Sequence, residues 1–258
     1  FQSEAPQARR LGGKGASLCQ LVQSGYRVPV GFVIPIDAFR QTCDALHLGA
    51  ALAAINEGLA RRGDVARLGA PVQARLLEGR ISDAVLAPIL AAVDRLALWE
   101  HNTAGVLVRS SATVEDGTAH SFAGIFESIP ISTPEALERT IREVWSSVFS
   151  PRALSYCREI GLAEYPGMAV VVQRFLEAER SGVMFTRFSG RTLVEHVEGG
   201  CEKLVKGEVT PEQLWIPGPG EPPIETGSLP MAHARELSRL AESLEQAKDA
   251  AEKIVIDL

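Results

Sequence analysis

Val106 to Ser128 reads VLVRSSATVEDGTAHSFAGIFES. It opens on the apolar run Val106-Leu107-Val108, of buried-strand type, followed by one cation, Arg109, and three hydroxyl residues, Ser110, Ser111 and Thr113. The acidic pair Glu115-Asp116 comes next, then small residues and Ser121-Phe122-Ala123-Gly124. A cation held at a strand end, followed by a loop of small residues, suits a polyphosphate. Phosphate oxygens need donors at close range, and backbone N–H groups serve only where no side chain obstructs them. Arginine adds a planar, permanently charged fork. A surface turn with an ion-paired arginine fits the same pattern, and on these residues alone the two readings stand level.

Working outward, Leu11-Gly12-Gly13-Lys14-Gly15 leads into a helical pattern over Ala16–Ser24, with Leu18, Leu21 and Val22 on one face. Glycines ahead of a helix let its N-terminus approach an anion, and Lys14 is placed to reach a phosphate. The same residues suit a glycine turn with a solvated lysine; the Lys-Ser/Thr ending of a P-loop is absent. Gly25 closes the helix, and Val28 to Ile34 reads as a turn and a buried strand. Ile36–His47 reads as a helix. Ala50 to Glu100 reads as helical stretches broken at Gly63, at Gly69-Ala70-Pro71 and at Pro88.

Beyond the central stretch, Ile125–Ile131 reads as a strand. Thr133 is placed as the N-cap of a helix with Pro134 in its first position, running through Trp145 toward Phe149. Trp145, Val148 and Phe149 read as core. Pro151–Ile160 is a second helix, and Met168–Val172 is an apolar strand ending in Gln173-Arg174-Phe175-Leu176. Leu193-Val194-Glu195 is a strand ending in a carboxylate. Val205 to Pro211 carries a hairpin signal at Gly207, Pro217 to Pro230 is a loop, and Met231–Lys253 is a long helix. The chain stops in the apparent strand Ile254 to Leu258, which suggests a fragment.

The 258 residues are 46% hydrophobic and 22% charged, a composition that suits a large core. A net charge of −6 gives no bulk attraction to nucleic acid or anionic membrane, and no run of about twenty apolar residues is present. Cys19, Cys43, Cys157 and Cys201 are scattered without CxxC spacing, so reduced thiols and a cytoplasmic location are expected.

Four blocks carry a family resemblance: Leu11–Ala38, the central stretch with its VRSSAT, Ala169–Thr186 with SGVMFT, and Leu193–Pro211. In order and content they resemble the nucleotide-binding domain of the dikinase family, which includes pyruvate phosphate dikinase, phosphoenolpyruvate synthase and rifampin phosphotransferase. The resemblance implies an α+β, two-lobed ATP-grasp-like domain. Residues 1–172 would form the first lobe, with a helical insert over about 50–100, and residues 173–258 a C-terminally incomplete second lobe. It further implies ATP and Mg²⁺ as ligands. Lys14 and Arg109 would act on the phosphates, under a cover formed around Ser121–Gly124, with Ser128 near them. Gln173 would contact the nucleotide, Phe175 and Leu176 would form the edge of the adenine pocket, and Glu195 would lie beside the nucleotide.

Glu245 aligns loosely with another acidic family position and suits equally well an ion pair with Lys248. Relatives place a magnesium glutamate at a position that would fall just past Leu258, with Asp257 next to it. Two departures stand out: Arg187–Arg191 is shorter than the family connection, and Cys201 replaces a glycine in a Trp-Gly-Leu-Gly-Glu-like segment. In the family, the β-phosphate of ATP passes to a histidine on a swivelling domain and then to an acceptor, leaving AMP and phosphate. None of the five histidines here (His47, His101, His120, His196, His233) lies in the Thr-Ser-His context of that carrier. The carrier and acceptor-binding domains are therefore expected elsewhere, in cis or on another chain. The alternatives are an ADP-forming ATP-grasp carboxylate ligase and a degenerate regulatory nucleotide-binding module.

Overall fold

The apolar runs pair into two separate four-stranded antiparallel sheets, with most helices gathered around the first. The computed structural model describes residues 8–100, 102, 104–114, 122, 125–188, 191–200, 202–205, 207–216, 228–247 and 253–257. The chain divides into two compact units, Phe1–Leu176 and Glu177–Leu258, and its architecture is α+β.

In the first unit the strands are β1 (Gly31–Ile34), β2 (Val106–Ala112), β3 (Ser128–Ile131) and β4 (Met168–Arg174), in the order β1-β4-β2-β3. Side chains alternate between faces along each strand. Val106, Val108 and Ala112 of β2, with Met168, Val170 and Val172 of β4, are buried in the main core. Helix α6 (Leu137–Ser146) lies over β2, β3 and β4. Trp145, Val148 and Phe149 are fully buried core residues. Phe39 tilts against Trp145 at 5.9 Å and stacks on Phe149 at 6.2 Å between ring centroids.

Helices α2 (Ile36–Ala45), α3 (Gly49–Ala60), α4 (Gly69–Glu78), α5 (Asp83–Arg95) and α7 (Pro151–Glu159) complete this layer. Contrary to the break expected at Pro88, α5 runs through it. Val85, Ile89, Ala92 and Val93 are buried along α5, and that packing outweighs the one intrahelical bond a proline removes. Thr133 does stand at an N-cap position, of a short 3₁₀ turn ahead of α6, but its side chain makes no capping hydrogen bond.

Helix α5 ends on Ala97 in the left-handed region (φ 48°), where its N–H reaches Asp94 O at 3.0 Å and Leu98 N–H reaches Val93 O at 3.3 Å. Glycine adopts this conformation without the Cβ penalty. Ala97→Gly is expected to raise unfolding stability by about 0.5–1 kcal/mol, net of the added freedom of the unfolded chain. An unmoved or lowered midpoint in denaturant titration would contradict this.

The second unit contains β5 (Arg180–Phe188), β6 (Arg191–Glu198), β7 (Glu212–Ile216) and β8 (Lys253–Asp257), in the order β7-β6-β5-β8, with α9 (Met231–Ala247) against β5. Two expectations are corrected here. The long helix cannot reach Lys253, which already begins β8. The glycine signal at 207 is a helix stop, not a hairpin: after α8 (Glu202–Val205), Gly207 (φ 72°) donates to Leu204 O at 3.0 Å and Glu208 to Lys203 O at 2.9 Å. That pair of bonds is a Schellman closure.

Candidate nucleotide-binding face

The site begins with how α1 (Ala8–Gln23) meets β2. The glycines lie inside α1 rather than ahead of it, and the helix is kinked at Gly12 (φ 67°). The kink presses the backbone onto β2: a Cβ on Gly12 would lie 1.9 Å from Ser111 O. Ser111 Oγ donates to Leu11 O at 2.8 Å and accepts from Gly15 N–H at 2.9 Å, so one hydroxyl staples both sides of the kink. The close approach that these glycines allow is therefore made by a strand, and the Gly15 amide is already engaged there. Ser111 was visible in the motif, but only the structure assigns it this role. The signal for it was alternation, because Arg109 and Ser111 share a face once β2 continues through Ala112.

That face is the one opposite the main core. Across it, Arg109 stands opposite Ser128 on β3 and Val171 on β4. Gln173 stands opposite Leu107 on β2 and Gly31 on β1, diagonal to Arg109. Long side chains reach one another across such a diagonal, and Arg109 Nη1 donates to Gln173 Oε1 at 3.4 Å. Gln173 is buried, and its Nε2 donates to Pro29 O at 3.0 Å. Ser128 is exposed at the start of β3. Lys14 is half-buried on α1, which packs on this same face: a Cβ on Gly15 would meet the Val33 methyls at 3.1 Å. Among the expected site residues, the first sheet thus gathers Arg109, Ser128 and Gln173, with Lys14 on the helix against it.

Just past β4, Phe175 N–H donates to Gly105 O at 3.0 Å, and Leu176 is exposed. Ser121 and Gly124 lie outside the described residues. Phe122 between them is buried, stacked on Phe126 at 5.4 Å and edge-on to Tyr156 of α7 at 5.0 Å. One aromatic side chain therefore ties the connection between β2 and β3 to the helical layer.

In the second unit, Glu195 lies on β6 opposite Val183 and Gln213, and its Oε1 accepts from Gln213 Nε2 at 3.0 Å. Asp257 takes the β8 position opposite Ser181. Glu245 falls within α9, but its side chain lies outside the described residues. No group of three or more His, Cys, Asp or Glu side chains placed to hold a metal occurs among the described residues. His196 is buried on β6 opposite Glu212. Burial holds its imidazole below the usual range, partly offset by the Glu212 carboxylate. Cys43 and Cys157 are buried thiols, pushed up by desolvation to about 12 and about 11, which makes them poor nucleophiles. Cys201 lies outside the described residues. No helix among the described residues is long and apolar enough to cross a membrane.

Comparison with known proteins bears on this arrangement. Residues 8–253 match the family model described as "Pyruvate phosphate dikinase, AMP/ATP-binding domain". The rifampicin phosphotransferase of Streptomyces sviceus is 34% identical over 212 residues, covering 78% of this chain and 24% of that protein. The probable phosphoenolpyruvate synthase of Methanocaldococcus jannaschii is 32% identical over 211 residues, covering 78% of this chain and 18% of that protein. The prodigiosin synthesizing transferase PigC of Serratia marcescens is 31% identical over 211 residues, covering 80% and 22%. The chain thus spans between 18% and 24% of the length of these relatives. With four motif blocks in order and a match over nearly its whole length, the chain belongs to the pyruvate phosphate dikinase AMP/ATP-binding domain family.

Proposed function

We propose that this chain binds ATP as the nucleotide-binding part of a dikinase-type phosphotransferase with an ATP-grasp-like architecture. The observation that carries the reading is the single sheet face on which Arg109, Ser128 and Gln173 meet, with the Lys14 helix packed against it. A triphosphate carries several negative charges, and transferring one of its phosphoryl groups is mainly a matter of positioning and neutralisation. Arg109 offers a planar fork and Lys14 a point charge. Ser128 and the amides around Ser121–Gly124 are assigned to the phosphate oxygens. Phe175 and Leu176 are assigned to the edge of the base pocket, Glu195 to the ribose or the metal, and Glu245 to the neighbourhood of the nucleotide. Magnesium, when bound, would supply further charge neutralisation at the phosphates, and it favours oxygen ligands such as Glu195.

In the reaction proposed, the β-phosphate passes to a histidine on another domain with release of AMP, water takes up the γ-phosphate as inorganic phosphate, and the phosphoryl group then passes from the histidine to a small-molecule acceptor. The relatives are about four to six times as long as the matched segment, which leaves room for carrier and acceptor domains in cis. A cytoplasmic setting accords with the free thiols of Cys43 and Cys157.

The test is calorimetric titration of the chain with ATP and Mg²⁺, followed by product analysis once a carrier domain is supplied. ATP is expected to bind, Lys14→Ala to weaken it roughly tenfold through loss of one charge-assisted contact, and AMP to accumulate. ADP as the product would favour a carboxylate ligase, and absence of ATP binding would favour a degenerate module.

A further inference from the structure

Resting on the nucleotide-binding reading above, we infer that Gln173 is a positioning residue for Arg109, acting on the phosphate end of the ligand and not on its base. The amide has only one workable orientation. A guanidinium can only donate and a backbone carbonyl can only accept. Oε1 must therefore face Arg109 Nη1, at 3.4 Å, and Nε2 must face Pro29 O, at 3.0 Å. Both ends of the side chain hold protein groups, and the residue is 4% exposed. Its cross-strand neighbours on this face are Leu107 and Gly31, neither of which offers a side-chain polar group in place of these partners. Gln173 thus links the segment ahead of β1 to the cation on β2. A buried amide anchored to backbone at one end restricts the rotamers of a long arginine, which lowers the entropy lost when the fork closes on an anion.

The experiment measures affinities for ATP and for inorganic tripolyphosphate, which has no base, in four full-length chains: wild type, Gln173→Met, Arg109→Met and the double variant. Gln173→Met is expected to weaken both ligands by a similar factor, about 5- to 20-fold. In the Arg109→Met background the same change should add less than about twofold, because coupled residues are non-additive. Gln173→Asn keeps the amide but is one methylene too short to reach both partners. It should match the loss seen with Met, and it is the better-tolerated variant should Met disturb folding, as read by thermal melting. Weakened ATP with unchanged tripolyphosphate, or losses that add in the double variant, would overturn the inference and leave the nucleotide-binding reading intact. A wild-type chain that binds neither ligand would overturn both.

Discussion

Gly12→Ala is expected to destabilise the first unit by about 3–5 kcal/mol, the largest stability effect of any single methyl addition proposed here. Two penalties combine. The new Cβ would be placed 1.9 Å from Ser111 O, on backbone that cannot swing aside as a side-chain tip would. The position also sits at φ 67°, where any residue with a Cβ is strained by about 1–2 kcal/mol. Relief requires α1 to lift from β2, which breaks both bonds of Ser111, to Leu11 O and from Gly15 N–H. The loss would appear in denaturant titration as a lowered midpoint, or in limited proteolysis as early cutting within α1. ATP affinity should fall with it, since α1 carries Lys14. A variant with wild-type midpoint and wild-type protease resistance would show that α1 does not dock through this contact.

Arg109→Met should act chiefly on binding, with a folding cost of about 1–3 kcal/mol from leaving the buried Gln173 Oε1 without its donor. Methionine keeps an unbranched apolar stem in the middle of β2, so the pairing with Ser128 and Val171 has no reason to change. What disappears is the fork. Removing a charged, hydrogen-bonded partner of a phosphate costs about 2–3 kcal/mol, so ATP affinity should drop on the order of 100-fold. Titration calorimetry paired with thermal melting checks both halves. Affinity within about threefold of wild type in a fully folded protein would remove Arg109 from the site.

Much of the architecture was legible because its signals are local. Apolar runs such as Met168–Val172 and the helical patterns around Trp145 and Leu154 need no partner to be recognised. Other features failed for a physical reason. Ser110, Ser111 and Ala112 look like loop residues, yet they complete β2 because β4 pairs with them down to Met168. Gly207 signals a left-handed turn in any context, and sequence alone does not say whether a hairpin or a helix end supplies it. The glycines of α1 announce a close backbone approach, but whether a ligand or a strand approaches is a tertiary fact. Gln173 was singled out through resemblance, while its partners Pro29 and Arg109 lie 144 and 64 residues away along the chain. No window of sequence brings those three together.

The alternation of β2 and β4 has an evolutionary consequence. Val108 and Val170 answer to the helical layer, whereas Arg109, Val171 and Gln173 answer to the opposite side. Neighbouring codons are thus under separate selective pressures. The apolar content of the helical layer can drift by compensating swaps while the side that meets α1 stays still, and a change on one side leaves the packing of the other in place.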